Sequence, residues 1–204
     1  PVATTGLSGT TSEDQSVVVT LSGSDIDGDA LTFSLASNAS NGSVTIDGSF
    51  ATYTPDANYN GDDSFSFSVS DGSESSSASV SLSISAVNDA PVLAAVSDVS
   101  FDEDGSGSTS LSGSDIDGDN LTFSITGGTD ITTSLDGSDV TFNAPANFNG
   151  SEEFSVSVSD GEYADSQSIT VTVLAVNDSP VATTGLSGTT SEDQSVVVTL
   201  SGSD

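Results

Sequence analysis

The sequence predicts an all-β fold made of tandem seven-stranded β-sandwiches, and three observations support this prediction. Residues 180–204 repeat residues 1–25 letter for letter, and a diverged copy of the same pattern starts at Pro91. Phe65, Phe67 and Val69 alternate with serine, and a period of two marks a strand with one buried face. No stretch keeps a helical period, and Val, Thr and Ser prevail where a helix favours Ala, Leu, Glu or Lys.

The repeat spacing predicts where the domains begin and end. The motif at residues 25–29 recurs at 115–119, a spacing of 90, and Asn88-Asp89 recurs at Asn177-Asp178, a spacing of 89. A segment of this length can hold its own hydrophobic core. We therefore expect one domain at 1–90, a second at 91–179, and a partial third at 180–204. The partial repeat contains only strands A and B, and it cannot bury a core alone.

Each predicted strand is a short run of alternating apolar residues between clusters of Gly, Asn, Asp or Ser. In the first repeat the runs are A at 2–7, B at 17–21, C at 31–35, D at 43–46, E at 50–54, F at 64–69 and G at 77–87. The second repeat keeps this order, with E at 140–143, F at 153–158 and G at 168–176. Pro91 and Pro180 follow the last strands, and because proline lacks an N–H donor and restricts φ, the joints should be short and extended.

The charge balance restricts the possible partners. The chain has 31 Asp and Glu residues, no Lys, Arg or His, and a formal charge of −31. Repulsion between like charges excludes nucleic acid and anionic membrane surfaces as direct partners. Clustered carboxylates also repel one another unless cations neutralise them, so metal ions from the medium are predicted partners. Without Cys there is no disulfide or thiolate metal site, and we expect no membrane span or signal peptide within these residues.

An Asp-Ile-Asp-Gly-Asp motif between strands B and C is the densest acidic feature, and it occurs twice. Alternate carboxylates in a tight turn direct oxygens at one point, which suits a hard cation such as Ca²⁺ that takes 6 to 8 oxygen ligands. An EF-hand is excluded because Ala30 and Ala36 stand where that loop requires Gly and Glu. A solvated acidic turn is the alternative reading. The predicted ligands are Asp25, Asp27, Asp29, Asp115, Asp117 and Asp119.

Other acidic groups are expected to meet these loops where consecutive domains join. In an immunoglobulin-type strand order, the A–B and E–F loops lie at one end of a domain and the B–C and F–G loops at the other. The first joint would then gather Glu13, Asp14, Asp62, Asn88, Asp89, Asp115, Asp117, Asp119 and Asp160. The second joint would contain Glu103, Asp104, Asn177, Asp178 and Asp204. Each joint is thus a predicted Ca²⁺ site.

Several segments together resemble a known family. They are the VNDAP and VNDSP joints, the SED at 12–14, DIDGDALTFSL at 25–35, YTPDANYNGDDSFSFSVSDG at 53–72, and NAPANFNGSEEFSVSVSDG at 143–161. They resemble the cadherin-like tandem repeats of giant bacterial surface proteins and adhesins, over nearly the whole chain. The resemblance implies immunoglobulin-like or cadherin-like sandwiches in an extended rod, with Ca²⁺ bound at the joints. By motif match, the family's A–B loop acid corresponds to Glu13 and Glu103, its linker to Asn88-Asp89 and Asn177-Asp178, and its Asp-x-Asp ligands to Asp115 and Asp117.

The function predicted from these features is mechanical. We expect a structural extender of a bacterial surface adhesin or extracellular filament, whose partners are neighbouring repeats and other copies of the chain. Catalysis is not expected, because no His or Lys can activate a serine and the carboxylate pairs fall in turns. One alternative is a carbohydrate-binding module, which needs exposed aromatic platforms, although only Tyr53, Tyr59, Tyr163 and a few Phe are available and there is no Trp. The other is an acidic coat or S-layer repeat adapted to high salt.

Two aromatic residues are expected to be structural. Tyr59 and Phe148 are each flanked by Asn and followed by Asn-Gly, a setting that could suggest a ligand-binding aromatic. A plug at the end of the sandwich is the favoured reading, because aromatic residues near strand ends pack in this way in related folds.

Overall fold

The computed structural model describes residues 1–203, which form β-strands and no helix. The all-β prediction is therefore confirmed for these residues. The chain forms two compact units, Pro1–Asp89 and Ala90–Asp204. No helix among the described residues is long and apolar enough to cross a membrane.

Unit 1 contains nine strands: β1 (Val2–Ala3), β2 (Leu7–Ser12), β3 (Val17–Thr20), β4 (Gly23–Ser24), β5 (Thr32–Ser37), β6 (Gly42–Asp47), β7 (Phe50–Pro55), β8 (Gly61–Ser70) and β9 (Ser75–Ser85). A four-stranded sheet has the order β2-β9-β8-β5, and a three-stranded sheet has the order β3-β7-β6. Strands β1 and β4 form a separate antiparallel pair. Both larger sheets contribute buried side chains to one core, as expected for a sandwich.

The core of unit 1 follows from the predicted period of two. Phe65, Phe67 and Val69 of β8 are all buried, and the serines between them are not. On β9, Val80 lies opposite Phe65 in the antiparallel register and is also buried. Because side chains alternate across a strand, the two long central strands bury one face each and leave a serine-rich outer face.

Unit 2 repeats this plan with β10 (Val92–Leu93), β11 (Val99–Asp102), β12 (Ser106–Ser110), β13 (Gly113–Ser114), β14 (Thr122–Gly127), β15 (Thr132–Asp136), β16 (Asp139–Asn143), β17 (Gly150–Ser159) and β18 (Ala164–Leu174). Its sheets have the orders β11-β18-β17-β14 and β12-β16-β15, and β10 pairs with β13. Phe142 and Phe154 meet edge to face in the core, with ring centroids 5.4 Å apart. The two units therefore share one topology.

The prediction of a continuous strand A at 2–7 is wrong. β1 pairs antiparallel with β4, whereas β2 pairs in parallel with β9. Gly6 lies between them with φ of 78°, a left-handed conformation that glycine adopts without steric cost. The chain therefore changes partner at this turn, and nine strands replace the predicted seven. Strand G also ends at Ser85, so Val87 belongs to the joint.

The partial third repeat forms only one short pair. β19 (Val181–Ala182) pairs with β20 (Gly202–Ser203) in the register that β1 and β4 use in unit 1. The run corresponding to predicted strand B is not a strand, and every side chain from 181 to 203 is exposed.

Candidate metal centre

The acidic loop of unit 2 folds around Asp115. One oxygen of this carboxylate, Oδ1, accepts hydrogen bonds from the backbone N–H groups of Asp117, Gly118 and Asp119, at 2.9, 3.0 and 3.3 Å. Gly118 has φ of 81°, which allows the tight turn. Carboxylate oxygens of Asp115, Asp117 and Asp119 lie within 4.8 Å of one another. Three converging carboxylates form a donor set that fits a hard cation.

The second oxygen of Asp115, Oδ2, is buried and has no hydrogen-bond partner. A buried carboxylate oxygen without a partner is costly, because the group has lost its hydration and gained nothing in return. A bound cation would remove this cost. An ordinary solvated acidic turn would leave its carboxylate oxygens in water, so the buried Asp115 oxygen favours a cation site over that alternative.

In the corresponding loop of unit 1, Asp25 and Asp71 lie close to the nitrogen of Pro1. Asp25 Oδ2 lies 3.0 Å from the Pro1 ammonium, and Asp71 Oδ2 lies 3.7 Å from the same nitrogen. The hydrogen bond to Asp25 raises the pKa of the ammonium, and the same bond lowers the pKa of Asp25.

Asp27 and Asp29 do not converge with Asp25 as their copies in unit 2 do. Both donate backbone N–H groups to Asp25 Oδ1, at 2.9 and 3.4 Å. Within residues 1–203, the three carboxylates of unit 2 are the only such group of three. Two loops with the same sequence therefore differ in structure.

Glu13 and Glu103 are buried carboxylates that directly follow strands β2 and β11. They are 3% and 8% exposed, the two buried charged residues among those described. Glu13 Oε1 accepts the backbone N–H of Val87 at 2.5 Å, and Glu103 Oε1 accepts that of Val176 at 2.5 Å. Glu13 Oε2 is buried without a hydrogen-bond partner. Each glutamate thus binds the start of the joint that leaves its own unit, and Glu13 keeps one oxygen available for a cation.

Asp14 and Asp104, the neighbours of these glutamates, connect two loops. Both have a left-handed backbone, with φ of 57° and 61°. Asp14 Oδ1 accepts the backbone N–H of Asn58 at 3.1 Å, and Asp104 Oδ1 accepts that of Asn147 at 3.2 Å. One oxygen of each side chain therefore already has a structural role.

Asp62 is exposed, and its backbone carbonyl accepts the Tyr59 hydroxyl at 2.7 Å. Tyr59 and Phe148 both pack against the core of their unit, as expected for residues that close the end of a sandwich. The structural reading of these two aromatic residues is confirmed.

Asp160 lies in the β17–β18 hairpin turn, where its Oδ1 accepts the backbone N–H groups of Glu162 and Tyr163 at 2.6 and 2.7 Å. In unit 1 the same turn is organised by Asp71, whose pKa is lowered by hydrogen bonds from the backbone of Glu74 and Ser73. Asp71 is the copy of Asp160 at the repeat spacing of 89, and the two side chains cap the same turn in their units.

The remaining predicted ligands lie at the joints. Asn88 and Asp89 follow β9 at the end of unit 1. Asn177 donates its side-chain amide to the backbone carbonyl of Asp178 at 2.9 Å, and both residues are exposed. Asp204 lies outside the described residues. A ligand role for these residues stays a prediction.

Asp63 of β8 and Glu152 of β17 accept hydrogen bonds from the loop that connects the two sheets of their unit. Asp63 accepts backbone N–H groups from Ser40 and Asn41, at 3.1 and 2.9 Å, and the Tyr53 hydroxyl at 3.1 Å. Its copy Glu152 accepts three backbone N–H groups, from Thr129, Asp130 and Ile131, at 2.9 to 3.0 Å. Burial alone would raise the pKa of Asp63, but the hydrogen bonds outweigh it and the pKa is lowered.

Asp63→Asn should lower the free energy of unfolding by about 1 to 2 kcal/mol at neutral pH. The substitution replaces one carboxylate oxygen by an NH₂ group, which cannot accept the hydrogen bonds that this oxygen accepts in the wild type. A depressed folded pKa contributes stability above the unfolded pKa and loses it as pH falls through the folded pKa. The difference in free energy of unfolding between wild type and variant should therefore be largest at neutral pH and disappear in acid. Urea unfolding between neutral pH and strong acid measures it. Asp62→Asn, an exposed neighbour with the same charge change, should show no such difference.

The two sandwiches, their acidic loops and their short joints define a tandem repeat protein of the immunoglobulin or cadherin-like class. The bacterial Ig domain model matches residues 1–83 and again residues 88–173. The chain belongs to the bacterial Ig domain family and carries two tandem copies. A search of curated proteins found no match.

Solved structures of similar fold include cadherin ectodomains. Human protocadherin-24 EC1-2 aligns with a TM-score of 0.54 at 17% identity, over 83% of this chain and 94% of that one. Protocadherin gammaB7 EC3-6 aligns with a TM-score of 0.52 at 16% identity, over 89% and 49%, and Drosophila N-cadherin EC1-4 with 0.50 at 10%, over 87% and 51%. An endo-fucoidan hydrolase of glycoside hydrolase family 107 matches with a TM-score of 0.35 at 24% identity, over 84% of this chain and 28% of the enzyme. For the three cadherin structures, at identities below 25%, the likeness shows the fold alone.

Proposed function

We propose that this chain is a non-catalytic structural spacer of a bacterial extracellular surface protein, an adhesin or a filament, stiffened by Ca²⁺ bound where consecutive repeats join. The main support is a pair of buried carboxylate oxygens without hydrogen-bond partners, Glu13 Oε2 and Asp115 Oδ2. A repeated array of sandwiches suits this role, because its length grows with each copy and each copy brings the same acidic loops.

Contacts within each unit support the placement of the ions. Glu13 accepts the backbone N–H of Val87, where the chain leaves unit 1, and three carboxylates converge in the loop at 115–119 of unit 2. Only three residues separate Val87 from Pro91, at the start of unit 2. This short covalent connection supports the proposal that an ion binds at the joint. Ca²⁺ would supply the positive charge that no side chain in this sequence provides.

The expected energy is large for so small a unit. Extracellular modules bind Ca²⁺ with dissociation constants of about 10⁻⁴ to 10⁻³ M. At about 10 mM Ca²⁺, mass action then contributes about 1.4 to 2.7 kcal/mol per site. Domains of this kind have net stabilities of about 5 to 15 kcal/mol, so the ion would change both folding and the stiffness of the joint.

Small-angle X-ray scattering with and without Ca²⁺ tests this proposal. With Ca²⁺ we expect a larger maximum dimension and a narrower range of conformations than with a chelator. Without the ion, the acidic groups at the joints repel one another and the joints flex. Mg²⁺ at the same concentration should act more weakly, since it keeps its water ligands and requires stricter geometry. Identical profiles with Ca²⁺ and chelator would exclude calcium stiffening.

The same experiment separates the two alternatives. A salt-adapted coat repeat should keep its profile after chelation in concentrated NaCl, whereas a calcium-dependent joint should not. A carbohydrate-binding module needs exposed aromatic platforms, but Tyr53 is fully buried, and Tyr163 is the one tyrosine among the described residues that is classed as exposed. Tyr53 therefore cannot contribute to such a platform.

A further inference from the structure

In each unit, a strand near the start of the fold pairs in parallel with the last strand of the same unit. In unit 1, β2 pairs with β9 over six residue pairs, from Leu7 opposite Val80 to Ser12 opposite Ser85. In unit 2, β11 pairs with β18 over four residue pairs. Within residues 1–203, every other strand pairing in the larger sheets is antiparallel. These two parallel pairs therefore differ from the rest of the fold.

The parallel direction decides how tension acts on these strands. The chain enters β2 at Leu7, beside Val80, and it leaves β9 at Ser85, beside Ser12. Tension applied to the two ends of the unit therefore pulls the paired strands along their length in opposite directions. In this sliding geometry the six residue pairs share the force and must break together. Strands that are pulled apart from one end lose their hydrogen bonds one after another, and a single hydrogen bond is weak.

Glu13 lengthens the connection in unit 1 beyond the end of β2. Its backbone N–H donates to the carbonyl of Ser85 at 3.0 Å, and its side-chain Oε1 accepts the N–H of Val87 at 2.5 Å. The glutamate is buried, so water has little access to replace these bonds, and a hydrogen bond is stronger in such surroundings. Both bonds lie at the end of the pair where the chain leaves the unit. They therefore hold the strands together where the force enters β9.

Side chains extend the shorter connection of unit 2. Before β11 begins, the Gln167 side-chain amide donates to the carbonyl of Val96 at 2.6 Å, and its Oε1 accepts the N–H of Val96 at 3.1 Å. Asp98 Oδ1 accepts the N–H of Thr170 at 2.7 Å. Beyond β11, Glu103 makes the same two kinds of bond to the end of β18 and the joint as its copy makes in unit 1. The two units therefore join the same two parts of the chain over similar lengths by different bonds.

We propose that the parallel pairs β2–β9 and β11–β18 are mechanical connections that keep each unit folded while the chain is under tension. The pair of β1 with β4 has only two residue pairs, so it opens first and passes the force to β2. Forced unfolding is governed by the rate of unfolding, and a connection that must break before the core opens slows that rate. The proposal rests on the proposed function for the source of the tension, because an extracellular spacer is pulled at both ends, but it requires no bound ion.

Single-molecule force measurements on the full chain in a chelator test the proposal in unit 1. The sequence contains no Cys, so handles attach only where a Cys is introduced. Handles at Thr5→Cys and Ala90→Cys, one before β2 and one after β9, make the two strands slide. Handles at Thr5→Cys and Ser79→Cys pull the same strands apart from one end. All three positions are exposed, so the variants should melt at the wild-type temperature. We expect the second arrangement to unfold unit 1 at a force several-fold lower, because the residue pairs then break one at a time.

A variant pair tests the side-chain bonds of unit 2, with handles at Ala95→Cys and Ser179→Cys. Asp98→Ala removes the acceptor of the Thr170 N–H and should speed unfolding under force by about tenfold, the usual effect of losing a hydrogen bond to a charged group. Asp136→Ala removes an exposed carboxylate from the other sheet and should leave the rate unchanged.

Equal unfolding forces in the two handle arrangements, or equal rates for the two Asp variants, would overturn the proposal. Scattering profiles that do not respond to Ca²⁺ would contradict the proposed function but not this inference, because the force measurements are made in a chelator.

Discussion

Glu13→Gln should weaken Ca²⁺ binding by about tenfold or more, because ligand charge sets the affinity of such sites. The same change should leave unit 1 at least as stable as the wild type when no metal is present. The amide keeps an oxygen that can accept the N–H of Val87. It also removes a buried negative charge, and an unpaired amide costs less than an unpaired carboxylate. Isothermal titration calorimetry and thermal unfolding, each with Ca²⁺ and with chelator, measure the two effects.

Glu74→Gln is the matched control for this prediction. Glu74 is exposed in the β8–β9 turn, so the substitution removes the same charge without touching the buried carboxylate. Its calcium affinity should stay at the wild-type value. If both variants bind Ca²⁺ equally well, Glu13 is not a ligand. If Glu13→Gln destabilises unit 1 equally with and without Ca²⁺, the role of Glu13 is confined to holding Val87.

Strand positions in this chain could be predicted because burial and sequence period agree. Phe65, Phe67 and Val69 alternate with serine, and the structure buries the apolar residues and leaves the serines on the other face. The break in strand A could not be predicted in the same way. Residues 2–7 look like one strand, but the partners of β1 lie 20 to 22 residues away and those of β2 lie 73 residues away. Pairing over such distances depends on the assembled fold rather than on local pattern.

The candidate metal centre was predictable in composition but not in detail. The sequence indicated the acids of the loop at 115–119, and the structure brings them together. It could not indicate that the carboxylates converge in the second loop and not in the first, because both loops have the same five residues. Similarly, Asp62 and Asp63 are adjacent and chemically alike. Only the position of the neighbouring loop makes Asp63 an acceptor for the backbone of Ser40 and Asn41.

Phe154→Ala should lower the stability of unit 2 by about 3 to 5 kcal/mol, the usual cost of deleting a large aromatic side chain from a core. Phe154 is 2% exposed, and its ring meets Phe142 edge to face at an interplanar angle of 72°. At roughly 0.05 to 0.15 kcal/mol per residue, a unit of this size has only about 5 to 13 kcal/mol in total. Unit 2 should therefore unfold at a much lower temperature than the wild type.

Unit 1 should keep its melting temperature in the same variant, because its core is a separate cluster of buried residues. Backbone amide NMR spectra recorded during heating can follow the two units separately, since residues of each give their own signals. Tyr163→Ala, at a position 45% exposed in unit 2, is the control and should shift neither transition by more than a few degrees. If both units instead melt together at the lower temperature in Phe154→Ala, each repeat depends on its neighbour for stability. An array of independent modules predicts two separate transitions, because a folded repeat then survives the loss of the one beside it.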